Sequence, residues 1–533
     1  MSKLSRRLSV AIALILGLIQ VWIGRFHMTL DGITYLDMAD AYLRKDWHTA
    51  INTGTCNPLY SWLIGLGYLL MRPSGYWEYL VVQLVNFVIF ALTVFAFEYF
   101  LQGLLKDRKD PIPLRILAYG IFIWTSLMMI RVWLVEPDML VAACFFAATG
   151  ILLRPASRWS SLLLGATLAA GYYAKGVMFP ISCMVLVGAW LLHSRRQASV
   201  ATAAFALIAS PLVAALSIST GHLTFGETGR INYAMDVFGI GVPFWQGGPA
   251  REGRPLHPPH ILLDSPKVYE FGQVFPVTYS PFYNQSYWYS GIHLWIAPRT
   301  LLHNVIRNAK KVVRRFLYGG GGFLFMWAVF ALLHRRIHFH MKITPHWVVW
   351  LISLGALFLY LPFHLSLRYI GPYTAVLFFV PFTAVRLPRI PPTIALVVLS
   401  LIWAALDPVI NLRGEAPWDV TPVNAYWQIA SGLQSMGLNA GDNIAVACEG
   451  MRSSRWARLN RAHIVAEMDP YPASSFWQLS KADQQRVLTA FSSTGAIMAV
   501  TDQPPPSPGY ATGWQEVGTT GYYAYLLPTR PSR

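Results

Sequence analysis

The chain has 533 residues, 55% of them hydrophobic and only 13% charged, and its mean hydropathy is +0.42. That balance excludes a string of soluble domains and points to a polytopic membrane protein. A net charge of +17 would suggest nucleic acid in a soluble protein. Here most Lys and Arg stand in short clusters between apolar runs, as the positive-inside bias requires, and no soluble segment carries a basic stripe with interleaved aromatics, so nucleic acid is not an expected partner.

The first apolar run, 10–23, follows the basic start MSKLSRRLS and resembles a signal peptide, but it lacks a clear small-residue cleavage site. It is therefore expected to be a retained first helix with its N-terminus inside. Next comes Asp31 to Tyr60, DGITYLDMADAYLRKDWHTAINTGTCNPLY, which puts Asp31, Asp37 and Asp40 at the outer water boundary. A carboxylate at the lip of a bilayer is costly unless solvated, paired or used. The stretch ITYLDMADAYL is expected to lie as a helix flat on the outer surface, with Asp37 and Asp40 facing water. Residues 58–71 are apolar for too short a length to span and suit an interfacial or re-entrant segment.

With that segment dipping and returning, 79–105 crosses inward and the charge clusters agree with the remaining crossings. Runs 114–129, 160–173, 201–219, 346–362 and 393–410 go out, while 139–153, 178–192, 323–333 and 371–384 return. The total is about eleven spans. A long polar connection, 220–298, is too long to be a turn. The segment 299–317, RTLLHNVIRNAKKVVRRFL, has the spacing of a basic amphipathic helix, expected to anchor on the membrane surface and to be broken by the four glycines 319–322. The expected division is a membrane domain, 1–410, with external loops 26–78 and 220–317, and an extracytoplasmic domain, 411–533. Helix signals at 424–436 and 481–491 alternate there with strand-like runs at 443–448, 496–501 and 522–527, which indicates a small α/β fold. No GxGxxG or GxxxxGK phosphate loop occurs. The four cysteines, Cys56, Cys144, Cys183 and Cys448, show neither a CxxC pair nor metal-ligand spacing, and a bridge from Cys56 to Cys448 stays open.

Under this topology Asp31, Glu136, Asp138, Lys175, Arg368, the long connection and the C-terminal domain all share the outer face. Five short stretches, in this order, resemble the membrane glycosyltransferases of the C-type fold, in particular bacterial relatives of the protein O-mannosyltransferases and the lipid A aminoarabinose transferases. They are Asp31-Gly32-Ile33-Thr34-Tyr35, Asn57-Pro58-Leu59-Tyr60, Glu136-Pro137-Asp138-Met139-Leu140, Tyr173-Ala174-Lys175-Gly176, and Leu367-Arg368-Tyr369 with Pro372. The resemblance implies a polyprenyl-phosphate-linked sugar donor, an acceptor among envelope lipids, glycans or proteins, and a place in the bacterial cytoplasmic membrane. It implies no cofactor.

The chemistry agrees with that expectation. A carboxylate within reach of an acceptor hydroxyl or amine can act as base, and Asp31 is the candidate. Lys175 and Arg368 can stabilise a departing phosphate. Asp138 and Glu136 can position Asp31 or the acceptor, or hold a divalent cation with it; the bland alternative is a salt bridge to Arg131. Tyr35, Tyr60 and Tyr369 are candidates to line a sugar pocket, with an aromatic interface belt as the alternative. Two other function classes fit the same charges. A lipid-linked-sugar transporter would show inverted repeats and midplane charges. A non-catalytic assembly protein would leave Asp31, Asp138 and Lys175 far apart.

Overall fold

The computed structural model describes residues 2–51, 55–106, 108, 111–272, 274–333, 344–383, 425–469, 476–507 and 512–528. The expected last crossing, 393–410, lies outside the described residues. Helices dominate the first part: α1 (Ser2–Ile23), α2 (Leu30–Leu43), α3 (Trp47–Ile51), α4 (Pro58–Met71), α5 (Glu78–Leu104), α6 (Pro111–Ile123), α7 (Asp138–Leu152), α8 (Arg158–Ala174), α9 (Met178–Leu192) and α10 (Arg195–Thr220). Among the described residues four helical stretches are long and apolar enough to cross a membrane, and α4, α7, α9 and a later helix, Pro345–Tyr360, are shorter apolar helices.

The two ends of this bundle are marked by ion clusters. Arg6 near the start of α1, Glu98 near the end of α5 and Arg115 near the start of α6 meet at one end, with Arg115 to Glu98 at 2.5 Å and Arg6 to Glu98 at 3.2 Å. Glu78, at the opposite end of α5, faces the α/β part of the chain. α4 joins two groups at that same end: Asn57 just before it donates to the Tyr172 carbonyl at 2.6 Å, and Arg72 just after it borders the turn into Glu78. Both ends of α4 thus lie at the same end of the bundle, and Leu66, Leu69, Leu70 and Met71 are exposed along it.

The long connection folds into α11 (Thr228–Phe238), strands β1 (His260–Asp264) and β2 (Lys267–Glu270), and two single-turn helices, α12 (Ser280–Tyr283) and α13 (Gln285–Trp288). It leads into α14 (Pro298–Leu333), which runs unbroken through the four glycines. The expected break is therefore corrected. Tight packing is the reason: a Cβ on Gly320 would lie 2.6 Å from the Phe378 ring, so only glycine lets the helices approach there. α14 also packs along the bundle: Asn308 donates to the Leu361 and Phe363 carbonyls just past the end of α15 (Pro345–Tyr360), and Gly320 meets Phe378 well down α16 (Leu367–Thr383).

The C-terminal part adds α17 (Ala425–Ser435), β3 (Asn443–Val446), α18 (Gly450–Leu459), β4 (His463–Met468), α19 (Lys481–Ser493), β5 (Met498–Thr501), β6 (Trp514–Glu516) and β7 (Tyr523–Leu526). The sheet order is β1-β2-β4-β3-β5-β7-β6. β3 runs parallel to β4 and β5, and every other neighbouring pair is antiparallel. The long connection thus supplies two strands of the sheet. One face is covered by Ile429, Leu433 and Trp456 together with Phe244, Phe271 and Trp288 of the connection; the other is covered by Val487, Leu488 and Phe491 of α19. Cys448 is buried in this core, and the structure contains no Cys56 to Cys448 bridge.

α2 joins the two parts. Asp37 accepts from the Thr278 hydroxyl at 2.8 Å and from its amide at 3.1 Å. The guanidinium of Arg458 in α18 contacts Asp37 at 2.8 Å, Asp40 at 2.7 Å and Glu78 at 2.6 Å. Asp37 is 5% exposed, so the expectation that it faces water is corrected, and Asp40 is likewise ion-paired. The α/β part covers the face of α2 that was expected to be solvated.

Candidate active site

Local capping sets the first turn of α2. The Thr29 hydroxyl accepts from the Gly32 amide at 2.9 Å and donates to the Val135 carbonyl at 3.0 Å. Asp31 therefore sits in a helical first turn, where the aligned amides favour a negative charge, and beside the turn that carries Glu136. That turn follows a π-helical segment, Trp124–Ile130, which ends at Arg131 with φ 69°. Gln83 and Asn86 of α5 hold its carbonyls at Trp133 and Leu134, at 2.9 and 3.1 Å. Pro137 then starts α7, whose first residue is Asp138. Lys175 ends α8 in an extended conformation, and Arg368 is the second residue of α16.

These five charges meet. Arg368 donates to Glu136 Oε1 at 2.9 Å and to Asp31 Oδ2 at 3.0 Å. Its Nε lies 3.4 Å from Asp138 Oδ2, within ion-pair range but without hydrogen-bond alignment. Lys175 donates to Asp138 Oδ1 at 2.6 Å, with its ammonium 3.9 Å above the Tyr369 ring. The Tyr369 hydroxyl accepts from Arg368 at 3.2 Å, and its ring stacks on Tyr360 at 5.4 Å. The carboxylates thus pair with Arg368 and Lys175, the former 337 residues away from Asp31 in sequence. Arg368 bridges the three acids, and among the described residues no group of three or more His, Cys, Asp or Glu side chains is arranged to hold a metal ion.

The protonation states differ along the cluster. Burial pushes the Asp31 carboxyl up, but Arg368, a hydrogen bond from Glu136 and Lys175 outweigh it and hold the group below its ordinary value. Glu136 is pushed well above the usual carboxylate range by burial and by its neighbour Asp31, with Arg368 only partly opposing. Arg368 and the bond from Glu136 thus favour the charge on Asp31, while burial and the nearby Asp31 favour the proton on Glu136. Burial works against a charged Lys175, yet Asp138 and Tyr369 raise it, so the ammonium is retained.

Asp31, whose side chain is 43% exposed, opens onto a cavity of about 120 Å³ that Tyr35, Glu136, Lys175, Arg368 and Tyr369 also line. The long connection closes it with Thr228, Asn232, Phe282 and Gln285, and Cys56 forms part of the wall. Sequence reasoning missed these lining residues, since no motif marks them. Tyr60 stands behind the wall, fully buried, with its ring edge-on to Tyr35 at 5.1 Å and its hydroxyl donating to Asn86 at 2.6 Å. His364, one turn before Arg368, turns to Asp236 at 3.6 Å.

A second cleft of about 360 Å³ adjoins the first and shares Lys175, Thr228, Asn232 and Tyr369 with it. Its walls are largely apolar, with Val177, Pro180, Phe225, Leu359, Tyr360 and Phe363 among them. The arrangement can hold an anion at Lys175 and Arg368, keep a carboxylate base beside it, and accommodate an apolar chain next to both.

No family model matches this chain, and no curated protein matches it. Among solved structures it is similar to the crystal structure of ArnT from Cupriavidus metallidurans bound to undecaprenyl phosphate, with 14% sequence identity, a TM-score of 0.42, and coverage of 98% of this chain and 99% of that chain.

Proposed function

We propose that the protein is an inverting glycosyltransferase that moves a sugar from a polyprenyl-phosphate donor to an acceptor at the outer face of the cytoplasmic membrane. The observation that carries this reading is the meeting of Asp31, Glu136, Asp138, Lys175 and Arg368 where a polar cavity joins an apolar cleft. A phosphate on a hydrocarbon chain needs cations at such a boundary, and a sugar on that phosphate would extend into the polar side, toward Asp31. Metal is not required by the reaction: Lys175 and Arg368 supply the positive charge.

In the proposed step the acceptor oxygen or nitrogen attacks the anomeric carbon, and its proton passes to Asp31. The bond from that carbon to the phosphate oxygen breaks, the electron pair leaves with the phosphate, and direct displacement inverts the centre. A carboxylate held low is a weak base. The donor itself corrects this: its phosphate competes with Asp31 for Arg368 and adds negative charge nearby, both of which raise the Asp31 pKa. Base strength would then be available only with donor bound.

The test is Asp31→Asn in the purified full chain, assayed with synthetic polyprenyl-phosphate sugars. Transfer should fall by about 10²- to 10⁴-fold with an unchanged thermal unfolding profile. Mass spectrometry of envelope lipids from cells lacking the protein should show one polyprenyl-phosphate sugar accumulating. Transfer near the wild-type rate in the Asn variant would overturn the assignment of the base.

A further inference from the structure

A separate cavity of about 620 Å³ lies where the end of α2, the end of α4 and the α/β part come together. Arg44, Arg72, Arg458 and Arg461 line it, with Asp37 and Asp40 on its wall and His463 and Thr278 beside them. Arg458 is committed to Asp37, Asp40 and Glu78. The other arginines are not similarly satisfied. Among the described residues Arg44 and Arg72 make no ion pair, and Arg461 approaches a carboxylate only at 3.9 Å, from Glu78, with its side chain 47% exposed. Four arginines and two carboxylates, Asp37 and Asp40, line it, with Glu78 buried behind Arg458, so the lining carries a net positive charge.

Its position relative to the membrane narrows the ligand. Arg72 directly follows Leu69, Leu70 and Met71, which are 60%, 76% and 54% exposed, and Tyr76 and Trp77, 56% and 55% exposed, continue that surface. Cations above a row of exposed apolar and aromatic side chains suit a group that is anionic at one end and hydrocarbon at the other.

We propose that this cavity is a second anion site, taking a phosphate group carried on a lipid or free in solution, held by Arg44, Arg72 and Arg461. It lies at the opposite end of α2 from Asp31, and it does not depend on the transferase reading. A phosphate bound here would complete the charge balance that the three carboxylates leave unfinished and would tie α4 and α18 together across the end of α2.

The experiment is calorimetric titration of the full chain in a neutral detergent with dihexanoyl phosphatidic acid, kept below its micelle concentration, and separately with inorganic phosphate. Both probes are repeated on Arg72→Gln, Arg72→Gln/Arg461→Gln and Lys175→Gln proteins. The expected result is a saturable component weakened on the order of tenfold per arginine removed and untouched by Lys175→Gln. Its appearance with phosphatidic acid alone identifies a lipid ligand, and with both probes equally identifies free phosphate. Arg72 is exposed and outside the buried ion cluster, so the single variant guards against a folding artefact. No saturable component, or one that both arginine variants leave unchanged, overturns the proposal.

Discussion

Replacing Arg458 with methionine tests whether the α/β part is held to α2 by charge. The guanidinium is 4% exposed and makes contacts at 2.8, 2.7 and 2.6 Å with Asp37, Asp40 and Glu78, plus a bond from Nε to Glu78 at 3.1 Å. Methionine preserves most of the buried length but leaves three carboxyls facing one another. Removing one partner of a buried pair costs about 3–5 kcal/mol, chiefly because the remaining charge is uncompensated. The carboxyls can escape part of this by taking up protons. Burial already pushes Asp37 above its ordinary value even with Arg458 beside it, so the lower end of that range, about 3 kcal/mol, is the working expectation. That is a shift of more than a hundredfold in the equilibrium for separating the two parts. Limited proteolysis of the detergent-solubilised protein reads it directly, as faster cleavage within the connection and at the turn between α4 and α5. The loss should shrink on acidification, and adding Asp37→Asn, Asp40→Asn and Glu78→Gln to the methionine variant should restore protection. Proteolysis unchanged from wild type, or no rescue by the neutral triple replacement, would refute an electrostatic clamp.

Glu467 should impose a pH dependence on the α/β part. Burial outweighs its hydrogen bonds from Tyr279 and Gly450 and pushes its carboxyl from 4.5 up to about 7. The folded form holds that proton more tightly than the unfolded chain, so the stability it contributes is complete below 4.5 and is lost as pH rises through about 7. The full swing is about 3 kcal/mol; thermal unfolding of wild type and Glu467→Gln should differ in slope across that window, and parallel curves would reject it. Arg368→Lys should reduce transfer by about 10²- to 10³-fold, because an ammonium cannot span Glu136, Asp31 and Asp138 as the fork does. The same variant should move the acid limb of the rate profile upward, since burial alone would raise Asp31 and Arg368 is the strongest influence holding it down.

The apolar helices and the motif residues were the legible part of this sequence, because each is written in a local pattern. The expected run 178–192 coincides with α9, and 79–105 differs from α5 by one residue at each end. Asp31, Glu136, Asp138, Lys175 and Arg368 could be placed on one side by charge alternation alone. What escaped was non-local. Nothing near Asp37 announces that Arg458, 421 residues on, will neutralise it, and a helical acid at a membrane surface ordinarily faces water. The helix α18 has a clear amphipathic pattern, but nothing in that pattern says that Arg458 is buried beside Trp456 rather than exposed with the other arginines. The four glycines were read by intrinsic propensity, which packing against Phe378 overrides.

The shared sheet also sets an order of events in biosynthesis. β2 pairs with β4 through Val268 and Met468, so the hairpin of β1 and β2 must wait for about 200 further residues, which at roughly 5–20 residues per second is on the order of ten to forty seconds. During that interval α14, α15 and α16 are made while the edge of β2 that faces β4 stays unpaired. The strands are short, five and four residues, which limits how far such an edge can recruit a stray partner. Assembly of the α/β part is therefore gated by synthesis of the helices that separate its strands in sequence, and a truncation after α16 would leave a hairpin with no sheet to join.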